Sequence, residues 1–99
     1  MLIVAGHFDV EPDKRDEFIR GRADAMRRSR GEAGCLAYAF SADPVEPGRV
    51  LLYERWASKE ALAAHLAGMR AAPRPPGGVT IHASEVLQYE ISDIGPVGS

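Results

Sequence analysis

Two runs in this chain are apolar at every position: Leu2-Ile3-Val4-Ala5 and Val50-Leu51-Leu52-Tyr53. Side chains along a strand alternate between its two faces. A strand that is apolar throughout therefore needs cover on both sides. The chain has 99 residues, enough for one domain with a modest core. What supplies the second cover is the question that any fold for this chain must answer.

The remaining pattern alternates strands and helices. Leu2 to Val10 reads as the first strand, with Phe8 and Val10 alternating with His7 and Asp9. Pro12 suits a first helical turn. From residue 12 to about 30, Phe18, Ile19, Ala23 and Met26 form one stripe against charged faces, which predicts an amphipathic helix. Gly31 and Gly34 bracket its stop. Cys35 to Ser41 is a second strand with Leu36, Tyr38 and Phe40 on one face. Ala42 to Gly48 has hairpin-loop composition, and Arg49 to Ala57 follows as the third strand. Ser58 is a helix N-cap candidate. Beyond it, Leu62, His65, Leu66 and Met69 recur at helical spacing to about Ala71. Pro73 to Gly78 reads as a rigid connection. Val79 to Ile91 is a fourth strand, long enough to carry a bulge.

The order βαββαβ predicts a ferredoxin-like α+β fold: a four-stranded antiparallel sheet in order 4-1-3-2 with both helices on one face. Residues 1–91 are expected to form this single domain, and 92–99 a Gly/Pro-rich tail that is flexible or reaches a partner. Two helices leave the other sheet face bare. A second copy packed sheet to sheet is the simplest cover, so a homodimer is expected.

Composition narrows the partners. The net charge of −2 argues against nucleic acid, which demands a concentrated basic surface. Cys35 is the sole cysteine, so neither an internal disulfide nor a thiolate metal cluster is available. No apolar stretch approaches membrane-spanning length, and the apolar run at the N-terminus is too short for a signal peptide. Cytoplasmic residence without membrane partners is the expectation.

The segments Glu32-Ala33-Gly34-Cys35-Leu36-Ala37-Tyr38, Asp43-Pro44, Leu52-Tyr53-Glu54-Arg55-Trp56 and Ala64-His65-Leu66 together resemble the antibiotic biosynthesis monooxygenase family, over residues 2 to about 91. The resemblance implies a dimeric ferredoxin-like α+β barrel. Some members oxygenate anthrone- or quinol-type phenols without metal or flavin, and a branch degrades haem. It also implies that Trp56 and His65 face a cavity between helices and sheet. Where many members carry a second His after the first, this chain has Met69 and Arg70. The axial His of the haem-degrading branch falls, by position, in Pro73–Pro76, where there is no His. That branch also has a Trp in place of His65 and an Asn near Gly6 and His7. Haem degradation is therefore disfavoured.

The residues carry their own arguments. His65 has an imidazole that can exchange a proton near neutral pH; its ordinary alternative is a hydrogen-bonded core histidine. Trp56 can wall a flat ring system or simply fill the core. Glu54 shares a strand face with Trp56 by period two, and as a buried carboxylate it would need a partner, with His65, Arg70 or a tyrosine as candidates. A Glu54–His65 bond would orient the imidazole. Tyr38, Tyr53 and Tyr89 are strand tyrosines, one of which is expected to reach a substrate. Arg55 alternates with Trp56 and so points toward the rim or the dimer face. His7 and His82, with Asp9, are a conceivable metal set but more ordinarily strand histidines. Cys35 reads as a small buried residue.

The expectation is a cofactor-free monooxygenase acting with O2 on an aromatic polyphenol or quinol. Its catalytic residues would be His65 and Trp56; Glu54, Tyr38, Tyr53, His7, Met69 and Arg70 would contact the substrate, and no metal is required. The rival from another class is a non-catalytic small-molecule-binding or stress-related module on the same fold.

Overall fold

The computed structural model describes residues 1–72 and 78–98. The elements are β1 (Leu2–Asp9), a 3-10 turn (Pro12–Lys14), α1 (Arg15–Gly21), α2 (Ala23–Arg30), β2 (Cys35–Ala42), β3 (Arg49–Trp56), α3 (Lys59–Ala71) and β4 (Ala83–Glu90). The strands form one antiparallel sheet in order β2-β3-β1-β4, the expected order read from the opposite edge. The fold is ferredoxin-like. Among the described residues no helix is long and apolar enough to cross a membrane.

The sheet register lays residues in rows across the strands. Tyr38, Glu54, Val4 and Gln88 are successive neighbours, and so are Phe40, Leu52, Gly6 and Val86. These rows lie on the helix side. There Leu2, Tyr38, Trp56 and Leu62 form one buried cluster, and Val10, Phe18 and Val50 a second. The alternate rows, through Ile3, Arg55 and Ala37 and through Ala5, Tyr53 and Ala39, lie on the other face. The helices pack over β2 and β3, and every residue of β4 is exposed. At Gly6 a side chain would collide with the Glu85 carbonyl and backbone, so only glycine lets β4 approach here.

Several expected boundaries shift. The single helix over 12–30 is a 3-10 turn and two helical segments, with the junction at Arg22. Gly21 is a poor helix former, the Arg22 N–H bonds back to Ile19, and the Arg22 guanidinium stacks 4.6 Å from the Phe18 ring centroid. β4 begins at Ala83 rather than Val79, because β1 ends at Asp9, the partner of Ala83. The bulge falls in β2, between Cys35 and Ala37, and not in β4. One inserted residue breaks the alternation, so Leu36 leaves the Tyr38–Phe40 face and is 45% exposed. On α3, Leu62 and His65 are buried but Leu66 and Met69 are not. The Pro-rich connection at 73–77 lies outside the described residues.

Two contacts anchor α3. Ser58 caps it as expected, accepting from the Ala61 N–H at 3.1 Å. At its other flank, Gly34 has φ +80, and a Cβ there would sit 2.5 Å from Ala61 Cβ. Gly34 is thus demanded twice, by backbone conformation and by close approach. Gly34→Ala should lower stability by about 1–3 kcal/mol, from left-handed strain plus the clash. Ala61→Gly added to it should recover only the clash. Urea unfolding midpoints of the wild type and the two variants check both statements.

Candidate active site

β3 and α3 bring the two rarest side chains of the helix side together. Trp56 closes β3 and is fully buried; His65 lies on the inward stripe of α3 and is 3% exposed. Their ring centroids are 4.6 Å apart at an interplanar angle of 35°. Tyr38 completes an aromatic trio, 5.4 Å from His65 and 6.4 Å from Trp56, edge-on to both. Glu54 is buried beside them.

The hydrogen bonding differs from the sequence expectation. Glu54 does not orient His65: its Oε1 accepts from Trp56 Nε1–H at 2.9 Å. That is an i, i+2 pair on one strand face, a partner left out of the candidates His65, Arg70 and tyrosine. His65 finds its carboxylate in the turn before β2. Its Nδ1 is 3.1 Å from Glu32 Oε1 and 3.3 Å from Oε2. A ring nitrogen facing a carboxylate carries the proton, so the neutral imidazole has its lone pair on Nε2. That Nε2 is buried and has no hydrogen-bond partner among the described residues. Such orphaned polar atoms are scarce in folded proteins and call for an explanation.

Burial sets the electrostatics. It pushes the Glu54 carboxyl above the usual carboxylate range, against the Trp56 hydrogen bond and the charge of His65. Burial, followed by the charge of Glu54, pushes the Tyr38 phenol up to about 12, so Tyr38 is a neutral donor and not a base. The Cys35 thiol is raised by burial first and then by Glu32 and Glu54, which agrees with an unreactive packing role.

The remaining predicted residues lie apart. Tyr53 is 41% exposed on the opposite sheet face, and His7 lies on that face too, 3.9 Å from Asp9. Arg55 shares the face, as its alternation with Trp56 implied. Met69 and Arg70 are exposed near the end of α3. His82 pairs with Glu11 at 3.0 Å. His7, His82 and Asp9 do not converge, and no cluster able to hold a metal occurs among the described residues. Trp56 and His65, expected to face a cavity between helices and sheet, are in direct ring contact with each other. Two cavities of about 290 Å³ each lie outside β2 around Arg30 and Leu36 and between Glu11 and His82. Glu32 is the residue that sequence reasoning left without a role. Its only signal was its place two residues before Gly34, in a segment already singled out.

A ferredoxin-like sheet with an aromatic–imidazole–carboxylate cluster under its helices defines a small α+β domain. The chain belongs to the antibiotic biosynthesis monooxygenase family, whose model matches residues 1–70. The Synechocystis protein sll1783 is 39% identical over 64 residues, covering 65% of this chain. The chain matches only 44% of that relative's length. A Deinococcus radiodurans structure named for the same family superposes with a TM-score of 0.80 over the full length of both chains, at 20% identity. The haem degrader MhuD of Mycobacterium tuberculosis superposes with a TM-score of 0.69 over 96% of this chain and all of its own, at 18% identity. At these identities the structural likenesses establish the fold.

Glu54→Gln keeps an acceptor for Trp56 Nε1–H and removes a group whose charged form burial penalises. The raised folded-state pKa means that wild-type stability falls as pH rises through and above the carboxylate range. The variant should therefore be the more stable near pH 7, with the gap closing below about pH 4, near the unperturbed Glu value. Trp56→Phe, which strands the carboxylate, should cost about 1–3 kcal/mol or more. Thermal melts across pH check both.

Proposed function

We propose that this chain is a cofactor-independent monooxygenase acting on an aromatic polyphenol or quinol of the anthrone type, with O2 as the second substrate. One observation carries the reading: His65 Nε2 is buried at the centre of the cluster with no hydrogen-bond partner among the described residues, while Nδ1 faces the Glu32 carboxylate. This is the arrangement of a general base. Nε2 takes the substrate's acidic proton and leaves an electron-rich phenolate or carbanion. That anion passes one electron to O2, and the radical pair joins as a peroxide. Loss of water, with the proton returned from His65, leaves a new carbonyl: the substrate carbon is oxidised, and O2 ends as one carbonyl oxygen and one water. The chemistry asks for a base and for a dry aromatic wall, the latter given to Trp56 and Tyr38.

The substrate's seat in this reading is the helix-side strip beside the cluster. The row Tyr38–Glu54–Val4–Gln88 and the row through Gly6 and Val86 run outward from the buried cluster to residues that no helix covers. In this reading Met69 and Arg70, exposed near the end of α3, would meet the ligand from the helix. Haem degradation stays disfavoured; the position argued for its axial ligand lies outside the described residues.

A homodimer belongs to the same reading. Leu51, Tyr53, Leu87 and Tyr89 lie on the sheet face away from the helices and are exposed, with Leu87 at 50% and Tyr89 at 47%. Apolar side chains of this size contiguous on one face favour a partner. We expect light scattering to give twice the chain mass, and Leu87→Lys with Tyr53→Glu to give a monomer.

The rival, a binding module without catalysis, is favoured by the direct packing of Trp56 on His65. Oxygen uptake with anthrone separates the two. Wild type should consume O2, and His65→Ala should lose on the order of 100-fold or more, the usual contribution of a general base. Quenching of Trp56 fluorescence by the phenol without uptake would leave the binding module; Trp56 is the chain's only tryptophan, so the signal reports this site alone.

A further inference from the structure

We propose that Glu32 is the positioning residue of this site: it fixes the tautomer of His65 and pairs the imidazolium that forms when Nε2 takes a proton. Its role in turnover rests on the reading of His65 as the base; its role in setting the tautomer does not.

The geometry supports this at three levels. First, both Glu32 oxygens lie within 3.3 Å of Nδ1, so the carboxylate straddles one ring nitrogen and leaves the other free. Second, the turn that carries Glu32 is fixed at both ends. Its N–H bonds to Ser29 O at 3.0 Å, and its carbonyl accepts from Cys35 N–H at 3.1 Å. Gly34 O in turn accepts from Ala57 N–H at 2.8 Å. Third, the absent side chain at Gly34 lets this turn close onto Ala61, one helical turn before His65. The backbone at Glu32 is thus held against α3, within reach of Nδ1.

Exposure separates the two carboxylates. Glu54 is buried and spends its hydrogen bond on Trp56. The Glu32 side chain is 38% exposed, so it keeps contact with solvent while touching a side chain that is 2% exposed. A carboxylate against a buried imidazole favours a proton on the facing nitrogen and stabilises positive charge on the ring.

The test is the tautomer, read from 15N chemical shifts and long-range 1H–15N couplings of His65 in the intact chain. Wild type should show Nδ1 protonated and Nε2 bare. Glu32→Gln keeps an acceptor and should keep that tautomer, whereas Glu32→Ala should shift His65 toward the Nε2–H form. Circular dichroism confirms that the variants are folded, and Glu32→Met, which also removes the acceptor, serves if the alanine variant is not. A wild-type Nε2–H tautomer, or one unchanged in Glu32→Ala, overturns the proposal. In anthrone turnover, Glu32→Gln should lower kcat on the order of tenfold with KM little changed, and Glu32→Asp should restore part of the loss. An unchanged kcat in Glu32→Gln, when His65→Ala is inactive, would discard the imidazolium-pairing role alone. If His65→Ala is as active as wild type, the base reading falls while the tautomer result still decides what Glu32 does.

Discussion

A methyl group at residue 34 would sit 2.5 Å from the methyl of Ala61, closer than two carbons can approach without displacement. The distance between α3 and the turn before β2 is thus set by two of the smallest side chains in the core. What lies on either side depends on it. Glu32 precedes Gly34 by two residues, and His65 follows Ala61 by four, so this close approach sits between the two partners of a hydrogen bond. Trp56 and Leu62 flank the same approach, and both are buried. Interiors are close-packed, and a shift of even one methylene is felt by neighbours. Widening this contact would move the imidazole away from its carboxylate and off the indole face together.

The cluster then sorts its polar groups by solvent access. Tyr38, Trp56 and His65 meet edge-on or tilted, geometries that suit ring quadrupoles. Three rings at this spacing exclude water, and that exclusion raises the ionisation cost of Glu54 and Tyr38. One carboxylate is placed inside and meets an indole N–H; the other is placed at the rim and meets an imidazole. Two carboxylates around one histidine do not compete, because each has its own donor.

Much of the fold was legible because it rests on short-range signals. Pro12, Ser58, Gly34 and the Pro/Gly-rich loops mark element ends by conformational preference. The βαββαβ order of elements placed β1 and β3 at the centre of the sheet, where they are found. Glu54 and Trp56 were grouped by period two on β3, His65 joined them by helical spacing on α3 and by the family resemblance, and Tyr38 was one of three strand tyrosines; the structure brings these four together. What was lost needed register. The extra residue between Cys35 and Ala37 turns Leu36 out to solvent, and no local preference announces it. The partner of Glu54 was two residues away and that of His65 was 33 away in sequence; period alone cannot tell which of two nearby carboxylates has the shorter path to a ring nitrogen. Tyr53 and His7 belong to the opposite face by the same alternation that placed Trp56 inside, so grouping them with the site set tyrosine and histidine chemistry above strand geometry.

The two faces of the sheet differ in what they expose. The helix side ends, at β4, in exposed residues, and the rows through Val4 and Gln88 and through Gly6 and Val86 run beside the buried cluster. The far side carries exposed Leu51, Tyr53, Leu87 and Tyr89. β4 contributes to both while being exposed along its whole length, which a lone edge strand of mixed apolar character tolerates poorly. A second copy on the far face would bury its apolar outward row, and a flat phenol on the near face would shield Val86. The strand that is least protected in the isolated chain is therefore the one through which dimer and substrate would be coupled. Assembly and ligand binding would then stabilise the same element from opposite sides.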